Sequence, residues 1–146
     1  MPKRLQAILQ KYREQLLYLI FGVLTTAVDF GISFLLYRFW VDSANVASVS
    51  LHVADVIAWT AAVLFAYVTN RIWVFESQTR GALPIAKELL GFGGGRVFTL
   101  LLQEAIMLIA VTWLGGNKYL FRILAAILVV VLNYVISKLL VFKKKA

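Results

Sequence analysis

Four long apolar runs, roughly residues 16–39, 49–69, 89–114 and 119–141, dominate this chain and leave little sequence outside them. A bilayer hydrocarbon core of about 30 Å needs about 20 apolar residues per helix, so each run is long enough to cross it. A water-soluble chain of 146 residues has no core large enough to bury all four, and a mean hydropathy of +0.84 agrees. The sequence therefore predicts an all-α membrane protein with four transmembrane helices in one domain. The first run is too long for a signal-peptide core and lacks a small-residue cleavage pattern, so it reads as a retained span.

The segments around the runs add three expectations. Leu5, Ile8, Leu9, Tyr12 and Leu16 share one helical face among Lys3, Arg4, Lys11 and Arg13, which predicts an amphipathic interfacial helix over residues 1–15. Residues 16–142 form the four-helix body, and residues 143–146 a basic tail. Lys and Arg flanking the spans fall eleven on one side, against Arg38 and Lys118 on the other, so both termini are expected in the cytoplasm. The connections "VDSANVAS" and "GGNK" on the opposite side are too short to form a domain.

Composition also excludes several chemistries. No cysteine is present, which removes disulfides, Cys-ligated zinc and thiol catalysis. The formal charge of +8 lies between apolar runs instead of on a polar face, so it points to anionic lipids and away from nucleic acid. His52 has no second histidine to share a metal, and no Asp-x-Asp arrangement exists for a nucleotide sugar. No metal, cofactor or enzymatic activity is expected.

Internal similarity comes next. "NRIWVF" closes the second run and "SKLLVF" the fourth, pairing Asn70 with Ser137, Arg71 with Lys138 and Phe75 with Phe142 at an offset of 67. "FG" at Phe21 and Gly22 recurs at Phe92 and Gly93, an offset of 71. Two parallel two-helix repeats about an axis along the membrane normal would produce this pattern.

These residues carry a resemblance. Phe21, Gly22 and Asp29 in the first run, "NRIWVF" after the second, charges in the third, and Asn133 before "SKLLVF" resemble the GtrA-like family of small four-span membrane proteins. The resemblance covers nearly the whole chain. It implies carriage of polyprenyl phosphate, or of sugars linked to it such as undecaprenyl-phosphate sugars, across the cytoplasmic membrane of a bacterium or archaeon. That transport would serve cell-surface polysaccharide synthesis beside a membrane glycosyltransferase.

The charged positions suggest how. An ionisable side chain within a span costs on the order of 2.5–3.5 kcal/mol on insertion scales, so it should face protein or water. Helical spacing gives each span one stripe of polar or small residues: Gly22, Thr26, Asp29 and Ser33; His52, Asp55, Trp59 and Asn70; Gly93, Arg96, Gln103 and Glu104; Arg122, Asn133 and Ser137. Four facing stripes would form a polar seam. In it Arg71, Arg96, Arg122 and Lys138 are expected to hold a phosphate headgroup, since arginine donates paired hydrogen bonds and stays charged when desolvated.

Asp29, Asp55 and Glu104 would serve as counter-ions or couple transport to protons, and Asn70, Gln103, Asn133 and Trp59 would meet the sugar or join helices. "GFGGGR" places Gly93, Gly94 and Gly95 just before Arg96, thinning the helix so that a neighbouring helix or ligand could approach closely. A non-transporting scaffold for a glycosyltransferase and a small proton-coupled multidrug exporter are the alternatives. The arginines disfavour the exporter, whose cavity should be acidic and aromatic. Four helices enclose little volume, so size predicts a homodimer or a partner along the headgroup path.

Overall fold

The computed structural model describes residues 10–40 and 49–142. Four helices span the lengths expected of membrane crossings, and the described residues contain no strand. Helix α1 covers Arg13–Phe39. Helix α2 covers Val49–Thr69 and runs into a π-helical turn at Asn70–Val74. Helix α3 covers Ala82–Met107, with a π turn at Leu108–Trp113, and α4 covers Lys118–Ile136, with a π turn at Ser137–Val141. Most of the expected interfacial helix, the 41–48 connection and the 143–146 tail lie outside the described residues.

The largest departure from the apolar pattern is the start of α3, which lies seven residues before the third apolar run. Gly81, at φ 94, breaks the chain before it, and Pro84 sits in the first turn, where a missing N–H leaves no intrahelical bond unmade. The continuous Ala82–Trp113 segment of 32 residues measures roughly 48 Å at the α-helical rise, well beyond the hydrocarbon thickness. Part of it must therefore tilt or project into the headgroups.

The chain divides into two compact units, 1–76 and 77–146. In the first, α1 packs along α2. Ala54, Ala58, Ala62 and Ala66 recur every fourth residue on α2 and are 0–3% exposed, the small-residue ladder that lets membrane helices approach. Hydroxyls that would otherwise meet lipid bond back to their own helix: Thr25 donates to the Phe21 carbonyl and Thr60 to that of Val56, both at 2.7 Å. Near the other end of the unit, Arg13 meets Glu76 at 2.7 Å.

In the second unit α3 packs along α4. Their connection is a tight turn in which Gly115 takes φ 66 and the Gly116 N–H donates to Ala110 O at 2.9 Å. A side chain on Gly116 would meet that same carbonyl at 2.6 Å, so the turn requires glycine there. Asn117 then caps α4, its Oδ1 accepting from the N–H groups of Tyr119 and Leu120 at 3.0 and 3.1 Å.

Both units close on the same local device. After each second helix a five-residue π turn ends with a phenylalanine N–H donating to the carbonyl five residues back, Phe75 to Asn70 at 2.8 Å and Phe142 to Ser137 at 2.7 Å. Each phenylalanine is 4% exposed and meets an aromatic ring of its unit's first helix. Tyr18 and Phe75 lie 6.3 Å apart and tilted by 57°, Phe92 and Phe142 5.9 Å apart and tilted by 56°, offset arrangements that aromatic rings favour. Between these contacts, Phe75 and Phe142 keep the 67-residue offset, whereas Tyr18 and Phe92 stand 74 residues apart, close to one helical turn beyond the offset of the "FG" pairs.

Candidate functional site

Arg96 is the most deeply committed cation of the second unit. Its side chain is half-buried on α3, and its Nε is enclosed with no hydrogen-bond partner. Its guanidinium carbon lies 5.2 Å from the centre of the buried Phe92 ring, one turn earlier. Cation–π attraction offsets part of the cost of burial but uses none of the five N–H donors. Arginine keeps its charge in such a desolvated setting.

The three glycines before it divide by role. A Cβ on Gly95 would stand 2.9 Å from Ile136 Cγ2, so glycine is what lets α4 pack here. Nothing lies within 4 Å of a Cβ on Gly93 or Gly94. Helix packing within the structure does not call for those two glycines. They leave bare backbone beside Arg96, at the cost of about 0.5–1 kcal/mol each that glycine carries in a helix.

Further along α3, Thr99 donates to Asn133 Oδ1 at 2.9 Å, and the two side chains are 1% and 5% exposed. The Asn133 carbonyl oxygen thereby joins the helices. Arg122 and Glu104 approach at 3.8 Å with 59% and 62% of their side chains exposed, so Glu104 neutralises Arg122 across the surface of α3 and α4. Gln103, next in sequence to Glu104, is half-buried. Lys138, in the closing π turn, donates to the Tyr134 hydroxyl at 3.1 Å and lies 5.4 Å from the same ring.

The first unit holds the remaining predicted residues. Asn70 opens its π turn and is 1% exposed; its Nδ2 donates to Ala66 O at 2.6 Å, while its Oδ1 is buried without a partner. Arg71 follows it, half-buried. Asp55 accepts a hydrogen bond from the Tyr37 hydroxyl, and Asp29 is half-buried on α1. Trp59 is 37% exposed, and His52 is exposed. Among the described residues no three His, Cys, Asp or Glu side chains gather as a metal site.

Sequence reasoning passed over Tyr37 and Thr99. Tyr37 continues the Asp29–Ser33 spacing by one more turn, a signal that was present. Thr99 stands three residues after Arg96 and four before Gln103, on the same stripe, and its partner Asn133 is on the stripe of the fourth span, so this signal too was present. The buried Glu88, which receives the Ser77 hydroxyl at 2.6 Å, is invisible to pattern.

The architecture has known counterparts. A model of the GtrA/DPMS transmembrane domain matches residues 17–142. The chain belongs to that family. It is 38% identical over 128 residues to the uncharacterized membrane protein YwcD of Bacillus subtilis, covering 88% of this chain and 95% of that one. It is also 37% identical over 130 residues to the cell wall teichoic acid glycosylation protein GtcA of Listeria monocytogenes, covering 89% and 85% respectively. The GtcA of Listeria innocua is 36% identical over 128 residues, covering 88% and 83%. This member of the GtrA/DPMS family is a multi-pass membrane protein, and its bacterial relatives assign it to the cytoplasmic membrane.

Proposed function

We propose that this protein moves a polyprenyl-phosphate-linked sugar, or polyprenyl phosphate itself, between membrane leaflets for cell-wall glycosylation, in company with a membrane glycosyltransferase. Membership of the family and the teichoic acid glycosylation named for its Listeria relatives support that setting. The observation that carries the reading is Arg96, whose enclosed Nε has no partner while Gly93 and Gly94 leave the adjoining backbone bare. A phosphate monoester or diester supplies the acceptors such a guanidinium lacks, in paired geometry. Lys138, second in the π turn that closes the same unit, extends the phosphate-binding set. The protein itself breaks and makes no covalent bond in this scheme; the prenyl tail stays in lipid while the headgroup crosses.

Reconstitution into liposomes with a radiolabelled polyprenyl-phosphate hexose, scored by access of the sugar to a reagent outside, tests this. Wild type is expected to speed transfer between leaflets. Removing one charge-assisted hydrogen-bonding group is worth about 1.5–3 kcal/mol, so Arg96→Ala is expected to slow transfer by about 10-fold or more. Equal transfer by wild type and Arg96→Ala removes the role of Arg96. Failure of wild type to move the lipid leaves the scaffold in its place.

A further inference from the structure

The first unit gathers a second set of polar groups, distinct in chemistry from the cationic site on α3. Asp29, Ser33 and Tyr37 follow one another at four-residue spacing on α1 and so share a face. The phenol of Tyr37 donates to Asp55 on α2, and Ser33 stands one turn before Tyr37 on the same face. Asp55 and Trp59 are themselves four residues apart, one turn on α2, each next in sequence to a buried alanine of the ladder, Ala54 and Ala58. They therefore emerge together on one flank of that ladder.

Two features separate this set from counter-ions or core. Glu76 pairs with Arg13 and Glu104 with Arg122, whereas neither Asp29 nor Asp55 is in an ion pair among the described residues. A carboxylate within a span, with no cation, needs hydrogen-bond donors from a neutral source. Trp59, 37% exposed in the middle of α2 and one turn from Asp55, is not a fully packed core indole. Carboxylate acceptors, a hydroxyl pair that can donate or accept, and a partly exposed indole match the hydroxyls and C–H face of a sugar ring.

We propose that Asp29, Asp55, Tyr37 and Trp59 form a binding site for the saccharide of the lipid-linked ligand, and that this site gives the glycosylated lipid its preference over bare polyprenyl phosphate. The proposal rests on the reading given above and assigns to the sugar end what Arg96 does for the phosphate. Asp55 would accept from ring hydroxyls while Tyr37 fixes its orientation, and Trp59 would stack on the ring. The two acids are ligands in this scheme, and proton transfer is no part of it.

Native mass spectrometry of the full chain tests it, with equimolar polyprenyl phosphate and its glucosyl, galactosyl or N-acetylglucosaminyl derivative competing for the protein. Wild type is expected to favour at least one glycosylated lipid by about 5-fold or more, the worth of a pair of good hydrogen bonds. Asp55→Asn, which keeps an oxygen for Tyr37, and Trp59→Ala are expected to bring that ratio to about 1 while bare polyprenyl phosphate still binds; Trp59→Phe should retain most of it. Arg96→Ala should weaken both lipids alike. An unchanged ratio in both variants, equal loss of both lipids in Asp55→Asn, or no preference in wild type for any of the three sugars overturns the sugar site and leaves Arg96 standing. An unchanged ratio accompanied by an altered pH dependence of transfer in Asp55→Asn would also overturn it, in favour of proton coupling. Binding of neither lipid class by wild type overturns both readings together.

Discussion

Thr99 on α3 and Asn133 on α4 are joined by a 2.9 Å hydrogen bond between side chains that are almost wholly buried. The Thr99 hydroxyl has carbonyls of its own helix nearby, Gly95 O and Arg96 O at 3.1 Å, so it gains an interhelical acceptor without leaving its turn. The bond therefore fixes the register of the two helices one turn beyond Arg96.

Breaking that bond from one side should cost more than its net worth. Thr99→Val leaves Asn133 Oδ1 buried without its donor, at about 1–3 kcal/mol. Thr99→Val combined with Asn133→Leu removes both polar groups and should recover part of the loss. The coupling in a double-mutant cycle is expected at about 0.6–1.7 kcal/mol, the range for hydrogen bonds between membrane helices. Thermal unfolding of the four proteins in one detergent measures it, and strict additivity would deny the bond an energetic role.

Gly95 and Gly93 should respond oppositely to alanine. A methyl on Gly95 lands 2.9 Å from Ile136 Cγ2, so Gly95→Ala should destabilise by about 1–3 kcal/mol, with Ile136→Ala, which removes that methyl, relieving the clash. Gly93→Ala meets nothing within 4 Å and should be neutral or stabilising by about 0.5–1 kcal/mol. Melting temperatures compared with lipid transfer by each variant distinguish packing from ligand approach. Gly93→Leu should fold and yet slow transfer, because it fills the bare backbone beside Arg96.

How far these relationships were legible in sequence depends on their physics. The four spans were plain, because about 20 apolar residues in a row admit one economical solution in lipid. The start of α3 at Ala82 was not, since Lys87 and Glu88 interrupt the apolar run and the Ser77 hydroxyl that helps bury Glu88 lies outside it. Sequence similarity between "NRIWVF" and "SKLLVF" marked both closing segments, but a π turn and an α turn share the same composition, so hydrogen bonding five residues back had to be seen. Arg96 was found because charge is conspicuous among apolar residues. Which glycine served packing was not, as Gly95 differs from Gly93 only in the position of Ile136.

The surroundings of Glu104 and Arg122 give a medium-dependent expectation. At 3.8 Å and about three-fifths exposed, the pair is too open to contribute more than about 1 kcal/mol where water reaches it. In a bilayer the same cation would face lipid if its partner were lost. Glu104→Gln should therefore be nearly silent in detergent micelles and markedly destabilising in bicelles, and the reversed pair Glu104→Arg with Arg122→Glu should restore stability there. Equal effects in the two media would mean that water reaches the pair in the bilayer as well.

The orientation expected from Lys and Arg placement can be read with single cysteines, because the native chain has none to give background labelling. Gln78 lies in the connection between α2 and α3 and is exposed, and Asn117, also exposed, caps α4 at the connection from α3. With both termini in the cytoplasm, Asn117→Cys should react in intact cells with a maleimide that does not cross membranes, whereas Gln78→Cys should react only after permeabilisation. The Asn117 side chain caps two N–H groups, so Asn117→Cys removes about 1 kcal/mol of helix stability and is paired with Lys118→Cys, which leaves the cap in place. Labelling of Gln78→Cys from outside would reverse the topology and place Arg71 and Lys138 on the outer leaflet. A phosphate would then first meet those π turns when it entered from outside.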